Sequence, residues 1–395
     1  DSLLNNVPGV CNKNLLKSQE TLGSYIPSSS DAQAFVTYKL SEKIQLEFLV
    51  TYAVTKFSLF PESAEKTTSV FSPLFTANLG LDILFEGQEH DSYKTNLIGL
   101  SLLHTANKKL KLKWMISRFQ NTENENFDIA GSYLFGDRDF DKTSSTYGQI
   151  VNPLGAGFYQ NYGRNELDIK VYNATLKGTY ATGKHFIQFG NSIEQTNITD
   201  KLKEWEYQDS AGYSLPYNPA NLNLFRSLRS TADLSIQKFS GYVQDNIRLG
   251  KNNKDITLQA GIRYNYNSLN KEFLVSPRMQ LSWKPKWKKD VVFKMAGGVY
   301  QQPPFYRELR KYNGTLNTDV KAQKSYQFVA GMDYNFKGFG NRPFRLTTEG
   351  YYKSMRSVDI YDIDNVKIRY AGNNNAKAYA TGFEARLFGE LIKDA

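Results

Sequence analysis

Between Asp255 and Lys284 the chain alternates almost without error. Ile256, Leu258, Ala260, Ile262, Tyr264 and Tyr266 share one parity, and Thr257, Gln259, Gly261, Arg263, Asn265 and Asn267 the other. After a short turn, Pro277, Met279, Leu281 and Trp283 alternate with Arg278, Gln280, Ser282 and Lys284. Successive side chains of a strand point to opposite faces, so the segment reads as a hairpin with one apolar and one polar face. The polar face is built of Arg, Gln, Asn, Gly and Ser, with few of the small apolar residues a packed sandwich core takes. The apolar face ends in aromatics. Lipid outside, water or protein inside and aromatic girdles at the interfaces are the requirements of a membrane β-barrel.

Composition agrees. Aromatics make up 14% of the 395 residues, including 26 Tyr and 25 Phe, and Tyr and Trp favour membrane–water interfaces. There is no apolar run of the roughly 18 residues that a spanning helix needs. A single cysteine, Cys11, excludes a disulfide framework or a CxxC metal pattern, and His90, His104 and His185 lie far apart. No cofactor is expected. The net charge is +10, but Lys and Arg are scattered along strands and turns. The nearest approach to a basic patch, Lys284, Lys286, Lys288 and Lys289 around Trp283 and Trp287, reads as a hairpin turn with interface aromatics rather than a nucleic-acid surface.

Alternation and turn signals predict about thirteen strands, near 33–41, 43–60, 93–106, 110–130, 165–182, 185–205, 231–249, 255–267, 274–284, 290–302, 322–336, 343–361 and 376–389. Residues 1–32 are left unassigned, and 79–85 is open as an added strand. Strand 43–60 sets Ile44, Leu46, Phe48, Val50 and Tyr52 against Gln45, Glu47 and Thr51. Several strands exceed the roughly 9–11 residues a tilted strand needs to cross the hydrocarbon, so they project beyond the membrane. Tight turns fall near 41–43, 107–109, 182–184, 250–254, 285–289 and 337–342. Long connections fall near 61–92, 131–164, 206–230, 303–321 and 362–375, with 268–273 a short exception. Short periplasmic turns and long extracellular loops are the asymmetry of outer-membrane barrels.

Specific residues then point to a family. In order along the chain stand Gly241-Tyr242-Val243-Gln244-Asp245, Ala260-Gly261-Ile262-Arg263-Tyr264, Ser276-Pro277-Arg278 and Gly297-Gly298-Val299-Tyr300-Gln301-Gln302-Pro303-Pro304. Lys324-Ser325, Gly331-Met332-Asp333-Tyr334, Glu349-Gly350-Tyr351-Tyr352-Lys353 and Ala380-Thr381-Gly382-Phe383-Glu384 follow. The series resembles the barrel of a TonB-dependent outer-membrane receptor. Each motif alone is weak; the ordered set over about 240–390 is specific. Pro277 opens a strand, where its missing N–H is tolerated. Gly297 and Gly298 are expected to permit a bend or bulge where the strand meets a long loop.

The resemblance implies energy-coupled import of a scarce solute across a Gram-negative outer membrane, through a barrel of the 22-stranded, plugged type. Its partners would be outer-membrane lipids, a plug domain and the energy coupler TonB, with room for a surface lipoprotein and no nucleic acid. No plug, coupler segment or closing strand is recognised, so residues 1–395 are expected to be the central part of such a barrel with both ends missing. No enzyme is implied: no nucleophile–base pair or paired carboxylates stand out, and Gly155-Ala156-Gly157 lacks the strand–helix context of a dinucleotide site.

Candidate site residues fall in three sets. Tyr159, Tyr162, Trp205, Tyr207, Tyr213, Tyr217, Phe305 and Tyr306 lie in or beside long loops and could clasp a ligand; the plainer reading is an interface girdle or loop self-packing. Arg263, Arg278, Glu349, Glu384 and Arg386 lie on polar faces, as lumen- or plug-facing groups or simply as lumenal salt bridges. Asp137, Asp139 and Asp141 form Asp-x-Asp-x-Asp, but the glycine and glutamate of a calcium loop are replaced by Lys142 and Gly148. A solvated acidic loop paired to Arg138 and Lys142 is favoured there, and likewise at Asp359, Asp362 and Asp364. The expected fold is thus all-β, a partial antiparallel transmembrane barrel with long extracellular loops. The alternatives are a passive outer-membrane porin and a soluble all-β ligand-binding module.

Overall fold

A computed structural model describes residues 24–71, 76–210, 223–249, 256–364 and 367–390. Among the described residues the chain forms one 14-stranded antiparallel sheet and a separate two-stranded hairpin. Its strands are β1 (Ser24–Lys39), β2 (Ile44–Phe60), β3 (Ala64–Phe71), β4 (Thr76–Thr105), β5 (Leu110–Arg138), β6 (Ile150–Thr182), β7 (His185–Asp209), β8 (Arg226–Leu249), β9 (Ile256–Asn267), β10 (Glu272–Trp283), β11 (Asp290–Gln302), β12 (Gln323–Gly338) and β13 (Arg342–Val358), followed by the small hairpin β14 (Tyr361–Asp364) and β15 (Lys367–Tyr370), and by β16 (Ala376–Gly389). Thirteen strands follow one another in a continuous meander from β1 to β16, with β3 added beside β4 and β14–β15 paired apart. In the described sheet β1 and β16 are the two edges.

The opening hairpin holds to its pattern. In the β9–β10 register Ile256 faces Trp283, Leu258 faces Leu281, Ala260 faces Met279, Ile262 faces Pro277 and Tyr264 faces Val275, so all ten share one face. Ile262, Val275, Met279 and Trp283 are exposed there. Followed through the ladders, the same outer face carries Phe293 and Met295 on β11, Phe328 and Met332 on β12, and Phe383 and Leu387 on β16. Aromatics bound this band. At the short-turn end Trp283 stacks on Phe293 at 5.7 Å, and Trp287 meets both rings edge-on at 6.2 and 5.7 Å. At the other end Phe239 meets Tyr266, and Tyr264 meets Phe273, each at 6.3 Å. The ten residue steps from Phe273 to Trp283 rise about 34 Å along the strand, or about 25 Å vertically at a 40° tilt, which matches the apolar band of an outer-membrane barrel.

The inner face is polar and paired. Lys113 meets Glu47 at 2.8 Å and Lys238 meets Glu194 at 2.9 Å. Buried Asp333 accepts from Lys294, from Arg345 at 2.7 Å and from Thr347 at 2.9 Å. Removing one partner from such a cluster leaves a buried charge uncompensated.

Three expectations are corrected. The connections at 61–92, 131–164 and 206–230 are largely strand: β4 begins at Thr76, β5 runs to Arg138, β6 starts at Ile150, and β7 and β8 extend to Asp209 and from Arg226. These extensions carry the ladder past the apolar band, where no apolar alternation is required, so the signal fades while the ladder continues. The segment 79–85 is the upper part of β4, not a separate strand. Finally, no bulge forms at Gly297–Gly298, because both ladders run through them without a shift. Gly298 is instead small because a Cβ there would stand 3.0 Å from Arg278 Cγ and from the Pro277 carbonyl. The Arg278 side chain fills that space and stacks 4.2 Å from the Tyr300 ring centroid.

The wall is uneven in height. β4 to β8 are 24–33 residues long, whereas β9 to β12 are 12–16. Long segments leave the low side after β11 and β13 and lean against the tall side.

Candidate functional site

The connection from β11 to β12 turns inward. A short 3-10 helix, Tyr306–Leu309, begins it. Glu308 bends back to accept from the Phe305 N–H at 2.8 Å, which satisfies one orphan donor of the turn, and from Gln323 Nε2 at 3.1 Å. Leu309, Val320 and Ala322 are buried. Beneath lies an apolar cluster of Leu167, Ile198 and Ile236, with Ile169, Leu234, Leu269 and Tyr306 packed around it. Leu167, Ile169, Ile198, Leu234 and Ile236 sit on the inner faces of β6 to β8, where a barrel lumen is otherwise wet, and Leu269 reaches them from the turn after β9. Covering each of them contributes roughly 1.5–3 kcal/mol, and the inward loop is what covers them.

Polar contacts then fix the loop to the tall wall. Asp200, 4% exposed on β7, accepts from the Tyr306 hydroxyl and from Arg310 Nη2. Arg310 Nη2 also donates to the Tyr306 oxygen at 2.7 Å. Arg307 reaches Glu123 on β5 at 2.7 Å. From the second inward segment, Arg369 of the β14–β15 hairpin reaches Glu204 on β7 at 3.2 Å. Asn317 Nδ2 donates to the Gly372 carbonyl at 2.8 Å and Asn374 Nδ2 to the Lys321 carbonyl, so the two segments are tied to each other. Burial and the nearby Arg369 lower the Arg310 pKa to about 10, which leaves the guanidinium charged at neutral pH. Burial raises the Tyr306 hydroxyl, and burial followed by repulsion from Asp359 raises Glu308.

Between loop and wall remains a cavity of about 490 Å³. Its wall is acidic, with Asp91 on β4 directly opposite Glu125 on β5. Such like-charge neighbours repel; Tyr93 bridges them at 3.5 Å to each, and Asn165 Nδ2 donates to Glu125 at 3.3 Å and to Glu204 at 2.7 Å. Its opposite side carries Arg307, Arg310, Lys311 and Arg369.

Of the six described aromatics among the eight singled out in the sequence, only Tyr306 lines this cavity. Tyr162, Trp205 and Tyr207 have the opposite parity to Asp200 and Glu204 in the β6–β7–β8 ladders, so they face outward. There Tyr162 stacks on Trp205 at 5.2 Å, with the Arg164 guanidinium 4.5 Å from the Tyr162 ring, and Phe158 meets Tyr207 at 5.9 Å. Tyr159 has the inward parity, Phe305 is exposed, and Tyr213 and Tyr217 lie outside the described residues. The register sets Arg263, Arg278, Glu349, Glu384 and Arg386 on the inner face. Glu349 stands directly opposite Glu384, to which Arg386 donates at 3.0 Å.

The three aspartates do not converge. Asp137 lies one residue before the end of β5 at Arg138, while Asp139 accepts from the Asp141 N–H at 2.8 Å and from Thr146 Oγ1 at 2.7 Å, and Asp141 from Thr143 at 2.9 and 2.6 Å. Arg138, expected to pair within this loop, instead meets Asp82 and Glu65 and donates to the Gly148 carbonyl. Among the described residues no group of three or more His, Cys, Asp or Glu could hold a metal. The anchors Glu123, Asp200, Glu204, Arg307, Arg310 and Arg369 were missed in the sequence. Their trace was apolar residues on the inner parity, Leu167, Ile169, Ile198, Leu234 and Ile236, which marked a lumenal patch in need of a cover.

A family model described as TonB dependent receptor-like, beta-barrel matches residues 55–392. Among solved structures, the RagAB peptide importer in its open-open state is 11% identical with a TM-score of 0.52, over 91% of this chain and 44% of that one. The ferric-catecholate import receptor Fiu from Escherichia coli K12 is 12% identical, TM-score 0.47, over 94% and 62%. The siderophore receptor PiuA from Acinetobacter baumannii is 12% identical, TM-score 0.46, over 94% and 61%. The chain thus spans roughly half of these neighbours' length, and at such identities the likeness concerns the fold alone. No curated protein sequence matches the chain.

Proposed function

This chain belongs to the family of TonB-dependent receptor-like β-barrels, and from that premise we propose that it forms the wall and ligand mouth of an outer-membrane receptor for energy-coupled uptake of a scarce solute. The single observation that carries the mechanism is the inward loop held by Tyr306 and Arg310 on Asp200. Solute arriving from outside would meet the long loops and settle in the cavity between loop and acidic wall. Release of the Arg307–Glu123, Arg310–Asp200 and Arg369–Glu204 contacts would open the path downward. On the inner face Arg263, Arg278, Glu349, Glu384 and Arg386 would line that path or meet a plug domain. TonB would supply the energy through that plug, as the family implies.

The family is one of transporters rather than enzymes. The neighbours' cargoes, described as peptide, ferric catecholate, siderophore and copper, differ so widely that the barrel fold does not select a solute. Loops carry specificity on a rigid scaffold. The experiment is genetic: growth of cells lacking the gene, on limiting iron, on limiting copper and on peptides as nitrogen source, in backgrounds with and without TonB. A growth defect in one medium, reproduced by loss of TonB, supports the reading. Rescue by the gene in cells without TonB would indicate passive, porin-like diffusion instead.

A further inference from the structure

Lys324, Arg356 and Lys377 stand in a single row on the outer face. The ladder sets Lys324 of β12 opposite Arg356 of β13, and Arg356 opposite Lys377 of β16. Like charges directly across neighbouring strands repel. Among the described residues none of the three is paired with a carboxylate, and the outer-face positions of β9 to β13 and of β16 carry no Asp or Glu. Arg356 leans over the Tyr326 ring, 5.7 Å from its centroid. Lys324 also lies beyond the roughly 9–11 residues that cross the hydrocarbon, counted up from the short turn after Gly338.

The residues directly below are those of a membrane interface. One step down the row is Tyr326, Ser354 and Tyr379, and the next includes Phe328 and Tyr352. At that depth the same face opens into a groove of about 650 Å³, whose outward-facing walls are Ala260, Pro277, Val299, Tyr326 and Tyr352 and whose floor is Gly297. Small residues make the groove; the aromatics flank it. Lys324 and Arg356, with no counter-ion among the described residues, therefore stand above the Tyr326–Tyr352 side of this apolar slot, and Lys377 lies beside them on β16.

We propose that this is a binding site for one membrane lipid with a phosphate-bearing headgroup. Its phosphate bridges Lys324, Arg356 and Lys377, relieving their repulsion. Its acyl chain fills the groove over Gly297. Anionic headgroups attract basic residues at the membrane surface, and the register gathers three of them where such a headgroup lies. The proposal rests on the outer face being the lipid face, as the family reading has it.

The test is a lipid titration of the protein purified in a neutral detergent, read by native mass spectrometry. The probes are dioleoyl phosphatidic acid, dioleoyl phosphatidylcholine and inorganic phosphate. Phosphatidic acid should bind about tenfold or more tightly than phosphatidylcholine. The triple variant Lys324→Gln, Arg356→Gln, Lys377→Gln should lose that preference, and Gly297→Leu should weaken both lipids. Equal preference in the triple variant, or displacement of phosphatidic acid by equimolar inorganic phosphate, would overturn the lipid assignment. A second readout uses Arg356→Gln alone. It should raise Tm in lipid-free detergent, by removing repulsion, and blunt the Tm gain on adding phosphatidic acid; a lowered lipid-free Tm with an unchanged gain would contradict it. A protein that stays monodisperse without detergent would instead sink the barrel reading on which the site depends.

Discussion

Arg310 donates through Nη2 to the Asp200 carboxylate, joining the loop after β11 to the lumenal face of β7, 110 residues away in sequence. The contact is part-buried, shared with the Tyr306 hydroxyl, and set beside an apolar floor that Tyr306 of the loop helps to cover. In the proposed mechanism its release opens the path past the loop.

Asp200→Asn should release the loop. It leaves the Arg310 cation buried without its counter-charge, a change that typically costs about 3 kcal/mol. Hydrogen exchange over 303–322 should accelerate by roughly two orders of magnitude, since 1.4 kcal/mol is a factor of ten. The double variant Asp200→Asn, Arg310→Met should recover most of the protection. Unchanged exchange in the single variant would show that the ion pair does not hold the loop.

The two loops should answer pH with opposite sign. Hydrogen bonds from Ser144, Thr146 and the Asp141 backbone hold the Asp139 carboxyl below its ordinary value. Its contribution to ordering 139–149 is present above that ordinary value and lost as pH falls through the depressed one. Burial raises Glu308 above its ordinary 4.5. Its folded state holds the proton more tightly, so its contribution favours the closed loop at low pH and is lost as pH rises from about 4.5 through the raised value. Exchange corrected for intrinsic rate, measured across this window, should show the 303–322 trend flattened by Glu308→Gln. A Glu308→Gln protein with the same pH trend would refute the assignment.

Gly297 and Gly298 should differ sharply as substitution sites, although they are adjacent. A Cβ at Gly298 meets Arg278 Cγ and the Pro277 carbonyl at 3.0 Å, whereas at Gly297 the nearest atoms are 3.6 and 3.8 Å away. Gly298→Val should cost about 1–3 kcal/mol through overpacking and displace Arg278 from Tyr300. Gly297→Ala should stay within about 0.5 kcal/mol. Thermal unfolding in detergent distinguishes the two, and equal losses would show that Arg278 does not need the space.

The sequence made the membrane-depth part of this fold legible because lipid on one side and water on the other force strict alternation. That is why β9 and β10 could be placed within one or two residues, and why Arg263 and Arg278 could be given a shared face. Above the membrane the constraint disappears, so Thr76–Ser92 and Gly131–Arg138 read as loop although they are strand. The lumenal anchors were hidden for another reason. Arg310 and Asp200 meet only through the curvature of the whole wall, and no local spacing encodes that. Trp205 was grouped with ligand aromatics by its nearness to a loop, when its parity relative to Glu204 already turned it outward.

In the proposed function the chain is a membrane-spanning wall with its short turns on one side and its long loops on the other. Single cysteines at Asn107→Cys, in the turn between β4 and β5, and at Lys142→Cys, in the loop between β5 and β6, test it directly in a Cys11→Ser background. Both positions are exposed. With a membrane-impermeant maleimide on intact cells, the cysteine at 142 should label at once and that at 107 only after the outer membrane is permeabilised. Labelling of both from the same side would contradict the account.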